Sequence, residues 1–141
     1  MASVFTRIMQ GELPGEIVYQ DDQVVALLDI APKSEGHTLV VPRQEVAAFH
    51  DLAPETAAAL ARALQVVTRG VLAATGTPHY NLALNTGAPA GQVVFHVHFH
   101  IIPRHEGQPR GRLGAYAPGR MAEVAHAIRT AIRATIPPAQ K

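Results

Sequence analysis

Residues 96–102 have the sequence HVHFHII, in which histidines alternate strictly with apolar residues. Successive side chains of a β-strand point to opposite faces of a sheet, so the alternation predicts a strand with one core face. We expect this strand to cover residues 93–102, with the apolar residues of the repeat in the core. The three histidines, His96, His98 and His100, would then lie side by side on the opposite face of the strand.

The sequence on both sides of this strand predicts an α+β fold. Four further short runs are rich in β-branched and aliphatic residues, and two longer runs carry apolar residues at helical spacing. We expect strands at 17–20, 24–28, 38–41 and 80–85, a long central helix that begins at Pro54 and ends before Gly76, and a C-terminal helix at 120–136. Short turns between successive strands favour a five-stranded antiparallel sheet with both helices on one face.

The composition limits the class of protein. A chain of 141 residues and 15.0 kDa has the size of one domain, which we expect to span residues 1–141. The formal net charge of +1, without a basic run, argues against a nucleic-acid partner. No apolar stretch approaches the roughly 20 residues of a membrane span and no signal peptide is evident, so we expect a cytoplasmic protein without a membrane partner. The lack of cysteine excludes disulfides and Cys-containing metal sites.

Three imidazoles on one strand face are compatible with a metal site or with a solvated polar face that is rich in histidine. Two histidines that are adjacent on a strand face can bind one ion. All three cannot, because His96 and His100 would be about 13 Å apart at roughly 3.3 Å per residue. Zinc needs its ligand nitrogens at about 2.0–2.1 Å. Further ligands would have to come from elsewhere in the chain, and His37 is the best candidate.

The pattern also fits nucleophilic catalysis, which we favour. A neutral imidazole can attack phosphorus and form a phosphoramidate intermediate, while flanking imidazoles donate hydrogen bonds to the phosphoryl oxygens and a proton to the leaving group. Residues 87–91 (GAPAG) form a flexible loop before the strand, where backbone N–H groups can approach an anion. Asn85 and Gln92 place neutral amide donors beside this loop.

Residues 91–104 (GQVVFHVHFHIIPR) resemble the signature of the histidine triad family, in which three histidines alternate with apolar residues. Further blocks resemble other parts of the family in the same order, so that the likeness covers about residues 4–104 and leaves 105–141 as a C-terminal loop and helix. These blocks are DIAP at 29–32, GHTLVVP at 36–42 and LNTG at 84–87, with FTRI at 5–8 and ELP at 12–14 near the N-terminus.

The resemblance implies a histidine triad fold and a nucleotide-binding hydrolase or transferase that acts at the α-phosphate of a nucleotide. It makes His98 the nucleophile that becomes nucleotidylated, with His96 and His100 binding and polarising the phosphate and His37 supporting the triad. The expected substrate is a purine nucleoside phosphoramidate or a dinucleoside polyphosphate, and the expected product is a nucleoside monophosphate. The resemblance also implies a homodimer, and the chemistry requires no cofactor and no metal ion.

The resemblance assigns the remaining substrate contacts as well. Asn85 and Gln92 match positions that contact the phosphate or the leaving group, and Asp29 matches the acid that binds the ribose hydroxyls. On its residue type and place alone, Asp29 also fits a cap of the turn that follows a strand. The base pocket would be lined by Phe5, Ile8, Leu28 and Ile30.

The chain departs from the family pattern in its N-terminal segment, in the loop and in its tail. Many bacterial relatives carry a Cys-x-x-Cys near the N-terminus as part of a structural zinc site, whereas Ser3 and Thr6 occupy those positions here. Val93 stands where relatives often have Ser or Thr, and the Trp-containing tail of the phosphoramidase branch is missing, since the chain has no Trp. A nucleotide-binding regulatory protein with little turnover and a His-based metal-binding protein therefore stay open as alternatives.

Overall fold

The structure is a computed structural model that describes residues 2–109 and 113–135. Within these residues it contains five β-strands, three α-helices and two short 3-10 turns. The strands are β1 (Ile17–Gln20), β2 (Val24–Leu28), β3 (Thr38–Pro42), β4 (His79–Leu84) and β5 (Phe99–Arg104). The helices are α1 (Val4–Met9), α2 (Pro54–Thr75) and α3 (Arg120–Thr135), and the 3-10 turns lie at Phe49–Asp51 and Ala88–Ala90.

The five described strands form one antiparallel sheet with the order β1-β2-β3-β5-β4. β1 and β2 form a hairpin, as the short turn between the two predicted strands suggests. The Asp21 carboxylate closes it by accepting hydrogen bonds from the backbone N–H groups of Gln23 and Val24, both at 2.8 Å. β5 lies between β3 and β4, and Leu39 of β3 pairs with His100 of β5. The predicted α+β class is therefore confirmed, with helices packed against an antiparallel sheet.

The two faces of the sheet bury different clusters of apolar residues. One face packs against α2 and α3, and its strand residues include Val24, Ala26, Leu28, Val40 and Ile101. The other face carries a smaller cluster, to which α1 contributes Phe5 and the strands contribute Leu27, Leu39 and Val41. Because residues alternate between faces along a strand, His37 and His100 fall on the face of α1 rather than on the face of α2.

Gly70 lies inside α2, where glycine ordinarily lowers helix stability. A β-carbon at this position would collide with the side chain of Ile132 on α3. The missing side chain therefore allows α2 and α3 to approach each other closely. This packing explains why the helix contains a residue that intrinsic helical propensity disfavours.

The histidine strand starts later and ends later than the sequence predicts. β5 begins at Phe99 instead of residue 93, and it continues through Pro103 to Arg104. The hydroxyl of Ser34 donates to the carbonyl of Pro103 at 2.6 Å, so this carbonyl points to the β3 side of the strand. The nitrogen of Pro103 points to the same side, because the nitrogen and the carbonyl of one strand residue do so. The β3–β5 pairing reaches only as far as Ile101, so the missing N–H of Pro103 breaks no ladder bond.

Residues 92–98 do not form a strand because they make hydrogen bonds to the segment that follows β3. The backbone N–H of Val97 donates to the carbonyl of Val46 at 2.8 Å, and the side-chain amide of Gln92 donates to the carbonyl of Ala47 at 2.9 Å. Of the three histidines, only His100 therefore lies in a strand. The prediction that all three share one strand face is wrong.

α1 is not among the elements predicted from the sequence, although a start signal is present. The hydroxyl of Ser3 accepts a hydrogen bond from the backbone N–H of Thr6 at 3.1 Å and so caps the helix. The C-terminal helix is confirmed as far as Thr135, and Ile136, its predicted last residue, lies outside the described residues. The expectation of a single domain over 1–141 stays a prediction.

α2 begins and ends where the sequence predicts, but it is apolar enough to resemble a membrane span. It has 22 residues, and its most apolar window has a mean hydropathy of 1.3, so by length and composition alone it can cross a membrane. The statement that no apolar stretch approaches such a span is therefore wrong. The core helix of a globular domain passes the same test, and one side of α2 packs on the sheet through Leu60, Val67 and Val71. The absence of a membrane partner stays a prediction.

Candidate active site

His37 and His100 meet on the α1 side of the sheet. His37 lies directly before β3 and His100 lies in β5, and these two strands are neighbours. Nε2 of His37 is 2.9 Å from Nδ1 of His100. Asp29, which follows β2, brings its Oδ2 atom to 3.6 Å from the same Nε2. The structure thus brings together three predicted site residues from three adjacent parts of the sheet.

The hydrogen-bond partners of His37 fix the proton positions along this contact, which we call the relay (Lys33, His37 and His100). The backbone N–H of Lys33 donates to Nδ1 of His37 at 3.0 Å, so Nδ1 is the bare nitrogen and Nε2 carries the proton. Nε2–H of His37 then donates to Nδ1 of His100, which leaves the proton of His100 on its own Nε2 atom. His100 consequently offers an N–H donor at the ring nitrogen that His37 does not occupy.

Both imidazoles of the relay are neutral near pH 7. Burial lowers the pKa of His37 from its ordinary value of 6.5 to about 4, although the Asp29 carboxylate opposes this shift. Burial, and after it the charge that His98 carries when protonated, lowers the pKa of His100 to about 4. A neutral N–H donor can bind a phosphoryl oxygen without the desolvation of a full charge. The donor on His100 is thus present throughout the neutral pH range.

His98 presents the opposite kind of nitrogen. Its Nδ1 atom is 2.7 Å from the carbonyl oxygen of His96, and because a carbonyl only accepts, Nδ1 carries the proton. Nε2 of His98 is then a bare lone pair, which is the form of imidazole that attacks phosphorus. The ring centroids of His98 and His100 are 5.0 Å apart. A nucleophilic nitrogen therefore lies beside an N–H donor.

His96 does not occupy the position that the sequence predicts for it. Its exposed fraction is 0%, and both ring nitrogens have partners inside the protein. Nε2–H donates to the carbonyl of Pro42 at 2.7 Å, and Nδ1 accepts from the hydroxyl of Ser3 at 2.6 Å. The ring has no nitrogen left for a phosphate, which contradicts the contact expected of it. The contribution of His96 is its backbone carbonyl, which orients His98.

Gln92 is also committed to the protein itself. It is 4% exposed, and its Oε1 accepts from the backbone N–H of Gly87 at 2.7 Å. Its Nε2 donates to the carbonyls of Ala47 and Val94 at 2.9 and 3.1 Å. Both amide hydrogens are therefore used, and Gln92 shapes the loop that starts at Gly87 instead of offering the phosphate contact expected from sequence.

Asn85 keeps its predicted place beside the loop. It follows β4 directly and is partly exposed. Gly91 lies against it with a φ of 101°, and a β-carbon there would be 3.4 Å from Nδ2 of Asn85. Glycine is required at this turn because other residues rarely adopt such a φ. The contact between Asn85 and a phosphate or leaving group stays a prediction.

Asp29 lies where one carboxylate oxygen serves the turn and the other faces the site. Oδ1 accepts from the backbone N–H of Ala31 at 2.9 Å, which is the turn-capping role that its position allows. Oδ2 points toward His37, at 3.6 Å from Nε2. The neighbouring Ile30 is 75% exposed. An exposed aliphatic side chain next to a carboxylate is a suitable surface for a nucleoside, and these two contacts stay predictions.

The expected base pocket needs one correction. Leu28 is 1% exposed and belongs to the cluster that faces α2, on the other side of the sheet from the triad. Leu27 instead belongs to the α1-side cluster, together with Phe5 and the partly buried Ile8. The alternation of strand residues carried this signal, since Leu27 is two residues from Asp29 and shares its face. Phe5 also packs on the triad, with its ring centroid 4.9 Å from that of His98.

Asp29, His37 and His100 lie close enough to be considered as ligands of one ion, since one donor atom of each lies within 4.8 Å of the others. Their protonation does not suit an ion. Nδ1 of His37 accepts from the Lys33 N–H, so the Nε2 atom that faces Asp29 and His100 carries a proton rather than a free lone pair. The cluster is therefore better described as a hydrogen-bonded relay than as a metal centre.

Two residues that position the site give no strong sequence signal. Lys33 acts through its backbone N–H, which any residue other than proline possesses. Glu45 binds the N-terminal segment through its carboxylate, although 42 residues separate it from Ser3. Neither contact follows from local spacing, because each depends on how the sheet and α1 come together.

Comparison with known proteins agrees with this geometry. The family model of the HIT domain, the histidine triad domain, matches residues 10–107. The adenylylsulfatase HINT3 of Arabidopsis thaliana is 40% identical over 103 residues, which are 73% of this chain and 52% of the plant protein. The adenosine 5'-monophosphoramidase hnt1 of Schizosaccharomyces pombe is 38% identical over 104 residues, which are 74% of this chain and 75% of that protein. The chain therefore belongs to the histidine triad family.

A solved structure supports the same assignment. The crystal structure of a zinc-bound histidine triad family protein from Mycobacterium smegmatis superposes with a TM-score of 0.85 and 33% identity, over 95% of each chain. The chain spans about half the length of the plant relative and about three quarters of the Schizosaccharomyces pombe relative.

Proposed function

We propose that this protein is a nucleotide hydrolase in which His98 attacks the α-phosphate of a purine nucleoside phosphoramidate or dinucleoside polyphosphate. The observation that carries the proposal is the fixed pair of ring nitrogens at the centre of the site. The carbonyl of His96 holds the proton on Nδ1 of His98, and the relay holds the proton on Nε2 of His100. A ring with a bare nitrogen and a ring with an N–H donor thus lie side by side, with their centroids 5.0 Å apart.

The reaction has two displacements. In the first, the Nε2 lone pair of His98 forms a bond to phosphorus while the bond from phosphorus to the leaving group breaks, and the leaving group takes a proton from solvent, which the attacking water of the second step returns. The nucleotidylated imidazole is a cation, and the His96 carbonyl stabilises it by accepting the Nδ1–H. In the second, water attacks phosphorus, the P–N bond breaks, and the nucleoside monophosphate leaves with His98 neutral again.

The choice of substrate class is supported by the relatives. The two named enzymes above are an adenylylsulfatase and an adenosine 5'-monophosphoramidase, so their names share an adenosine phosphate and differ in the leaving group. In this chain Asp29 has a carboxylate oxygen that the turn does not use, and an ionised carboxylate can accept from two neighbouring ribose hydroxyls. We infer that the nucleoside half decides recognition and that the leaving group varies.

The decisive experiment is a comparison of adenosine 5'-phosphoramidate with a diadenosine polyphosphate as substrates, with intact protein mass recorded at early times. We expect release of the monophosphate and a transient nucleotidyl adduct that maps to His98. An adduct that forms and does not clear would instead identify a nucleotide-binding regulatory protein. Hydrolysis with no adduct at any time in the unaltered protein or in a slowed variant would contradict the two-step mechanism.

We also infer that the protein is a homodimer in the cytoplasm. β4 is an edge strand of the described sheet and exposes Tyr80 and Leu82, at 43% and 51%. Only 33% of the apolar window of α2, the helix that precedes β4 in the chain, is buried, which leaves further apolar surface exposed. Sedimentation of the protein and of Leu82→Lys tests this: a dimer that the substitution dissociates is expected, and a monomeric unaltered protein contradicts it.

A further inference from the structure

Ser3, Thr6, Glu45 and His96 form a hydrogen-bonded cluster where α1 meets the triad, which we call the clasp. The Ser3 hydroxyl donates to Nδ1 of His96 at 2.6 Å and accepts from the backbone N–H of Thr6 at 3.1 Å. The Glu45 carboxylate accepts from the Ser3 N–H at 2.9 Å and from the Thr6 hydroxyl at 2.6 Å. One serine side chain therefore caps α1 and holds a triad histidine at the same time.

The clasp stands where the family resemblance places the cysteine ligands of a structural zinc ion, and its residues do not fit that ion. The hydroxyls of Ser3 and Thr6 do not ionise as thiols do, and a zinc ligand must be a thiolate, a neutral imidazole or a carboxylate. The Nδ1 atom of His96 already accepts the Ser3 proton, and Glu45 already accepts from α1. Hydrogen bonds therefore make the connection between these elements.

The clasp reaches the reactive nitrogen through His96. Ser3 holds the ring from one side and the Pro42 carbonyl holds it from the other. The peptide group between His96 and Val97 is fixed as well, because its N–H donates to the loop after β3 at 2.8 Å. The His96 carbonyl that accepts from Nδ1 of His98 is thus held at the ring and at the following amide.

The rings make a second contact between α1 and the triad. Phe5 of α1 packs edge-on against both His96 and His98, with centroid distances of 5.8 and 4.9 Å. Phe5 is 5% exposed, so it has one defined place in the cluster. A shift of α1 would therefore move both the histidine that orients and the histidine that reacts.

We propose that Ser3, supported by Thr6 and Glu45, is a positioning residue: the metal-free clasp holds the His96 carbonyl so that His98 keeps its proton on Nδ1 and its lone pair on Nε2. The effect on rate rests on the proposed function, because the position of that lone pair matters to turnover only if His98 attacks the substrate. The effect on the His98 tautomer does not rest on it.

The test compares Ser3→Ala with Ser3→Thr. The alanine removes the donor to His96 and the helix cap, whereas the threonine keeps the hydroxyl and adds only a methyl group. The first readout is the ¹⁵N chemical shift of the two ring nitrogens of His98, which reports the tautomer without any substrate. The second is kcat and KM with adenosine 5'-phosphoramidate.

We expect Ser3→Ala to increase the Nε2–H tautomer of His98 and to lower kcat about tenfold, equal to about 1.4 kcal/mol of activation free energy, with KM changed less than about twofold. Ser3→Thr should restore the tautomer and most of kcat. If the His98 ring shifts of Ser3→Ala match those of the unaltered protein, the clasp does not position His98 and the proposal fails. If the tautomer shifts but no substrate is turned over by any form, the proposed function fails and the clasp stands.

Glu45→Gln provides a milder variant in case Ser3→Ala does not fold. It keeps an oxygen acceptor but removes the charge that strengthens both hydrogen bonds to α1. Glu12→Gln is the matched control, because this substitution changes the charge in the same way. The Glu12 carboxylate pairs with Arg7 of α1 at 3.8 Å and is not part of the clasp. A change in the His98 tautomer with Glu45→Gln and none with Glu12→Gln is expected. Equal effects of the two variants would overturn the proposal.

Discussion

His96 and His100 flank His98 symmetrically in the sequence, yet the structure uses them in different ways. His96 is fully buried, gives both ring nitrogens to protein partners, and acts on His98 through a backbone carbonyl. His100 is partly exposed, gives one nitrogen to the relay and leaves an N–H for a ligand. In the proposed mechanism the two halves of the triad therefore have separate tasks: His96 aligns the nucleophile, and His100 stabilises the phosphoryl oxygen.

This difference has a single cause, which is the place where β5 begins. His100 lies within the strand, where its ring meets the neighbouring strand β3 and His37. His96 lies before the strand, where the chain bends into the core and binds α1 and the segment after β3. Identical residues four positions apart thus make different contacts because of one boundary of secondary structure.

Replacement of the histidine between the two halves should have the largest effect. His98→Ala removes the bare nitrogen that both halves serve, so we expect turnover to fall by roughly a thousandfold or more. Nucleotide binding should persist, because the partly exposed ring is not part of either core cluster. Single-turnover kinetics checks the loss of turnover, and calorimetric titration with a nucleoside monophosphate checks that nucleotide binding persists. Turnover close to that of the unaltered protein would exclude His98 as the nucleophile.

The flanking histidines should separate activity from stability. His100→Ala removes the proposed phosphoryl donor, and we expect about a hundredfold loss in kcat. The loss of unfolding free energy should be smaller than for His96→Ala, because the Nε2–H of His37 that loses its acceptor still lies 3.6 Å from Oδ2 of Asp29. His96→Ala leaves the Ser3 hydroxyl and the Pro42 carbonyl without a buried partner and opens a cavity, so we expect a loss of about 2–4 kcal/mol of unfolding free energy. Urea unfolding and steady-state kinetics of both variants provide the comparison. If both variants lose activity and stability in the same proportion, His96 and His100 have equivalent roles and this expectation is wrong.

Acid should weaken the fold through the relay. His37 titrates at about 4 in the folded protein and at its ordinary value of 6.5 when unfolded, so the unfolded chain binds more protons between these values. The stability that its neutral form provides is complete above pH 6.5 and is lost as the pH falls toward 4. One such histidine contributes a slope of at most about 1.4 kcal/mol per pH unit in this window. Urea unfolding at pH 7, 6, 5 and 4 measures this slope, and His37→Gln should reduce it.

At the residues proposed to bind the nucleoside, we expect a smaller effect that depends on the sugar of the substrate. If Asp29 binds the ribose, loss of the 2′-hydroxyl from the substrate should lower kcat/KM about tenfold, or about 1.4 kcal/mol. Asp29→Asn should reduce that preference for ribose while His98 still accepts a nucleotidyl group. Parallel assays with ribonucleoside and deoxyribonucleoside phosphoramidates are needed. Equal rates with the unaltered protein would leave Asp29 with the turn-capping contact to Ala31 alone.

Removal of metal ions should have no effect. The relay has a proton where an ion would need a lone pair, and the clasp offers hydroxyls where zinc needs thiolates. Activity after dialysis against a strong chelator should therefore equal activity before it. Loss of activity that zinc restores would indicate that Asp29, His37 and His100 bind an ion after all, and it would favour the metal-binding interpretation of the triad.

The strands and the two long helices followed from sequence because alternation and helical spacing act locally. The same rule placed Val97 and Ile101 correctly in the core, since both are fully buried. The alternation of strand residues also places Leu27, not Leu28, on the same face as Asp29 and the triad, and this choice was not made from the sequence. The local pattern therefore predicted the buried residues Val97 and Ile101, although it was wrong about a shared strand face for the three histidines.

The remaining features of the site depend on contacts between distant segments. The start of β5 is set by hydrogen bonds from residues 92–97 to the segment after β3, and no local pattern records them. Gln92 has the composition of a ligand-binding amide, but three backbone groups of the protein use its side chain. Likewise, a hydroxyl and a carboxylate that are far apart in sequence join only when α1 docks beside His96.

The clasp also has a chemical consequence for the setting in which the protein can work. A thiolate zinc site loses its ion when peroxide oxidises the sulfur, and its assembly needs a supply of free zinc. Serine and threonine hydroxyls are inert to peroxide, and the hydrogen bonds from α1 hold the pKa of Glu45 below its usual value, so that its carboxylate stays ionised in mild acid. If the clasp positions His98 as proposed, this alignment depends neither on the oxidation state of a thiol nor on a supply of zinc, whereas a zinc site with thiolate ligands depends on both.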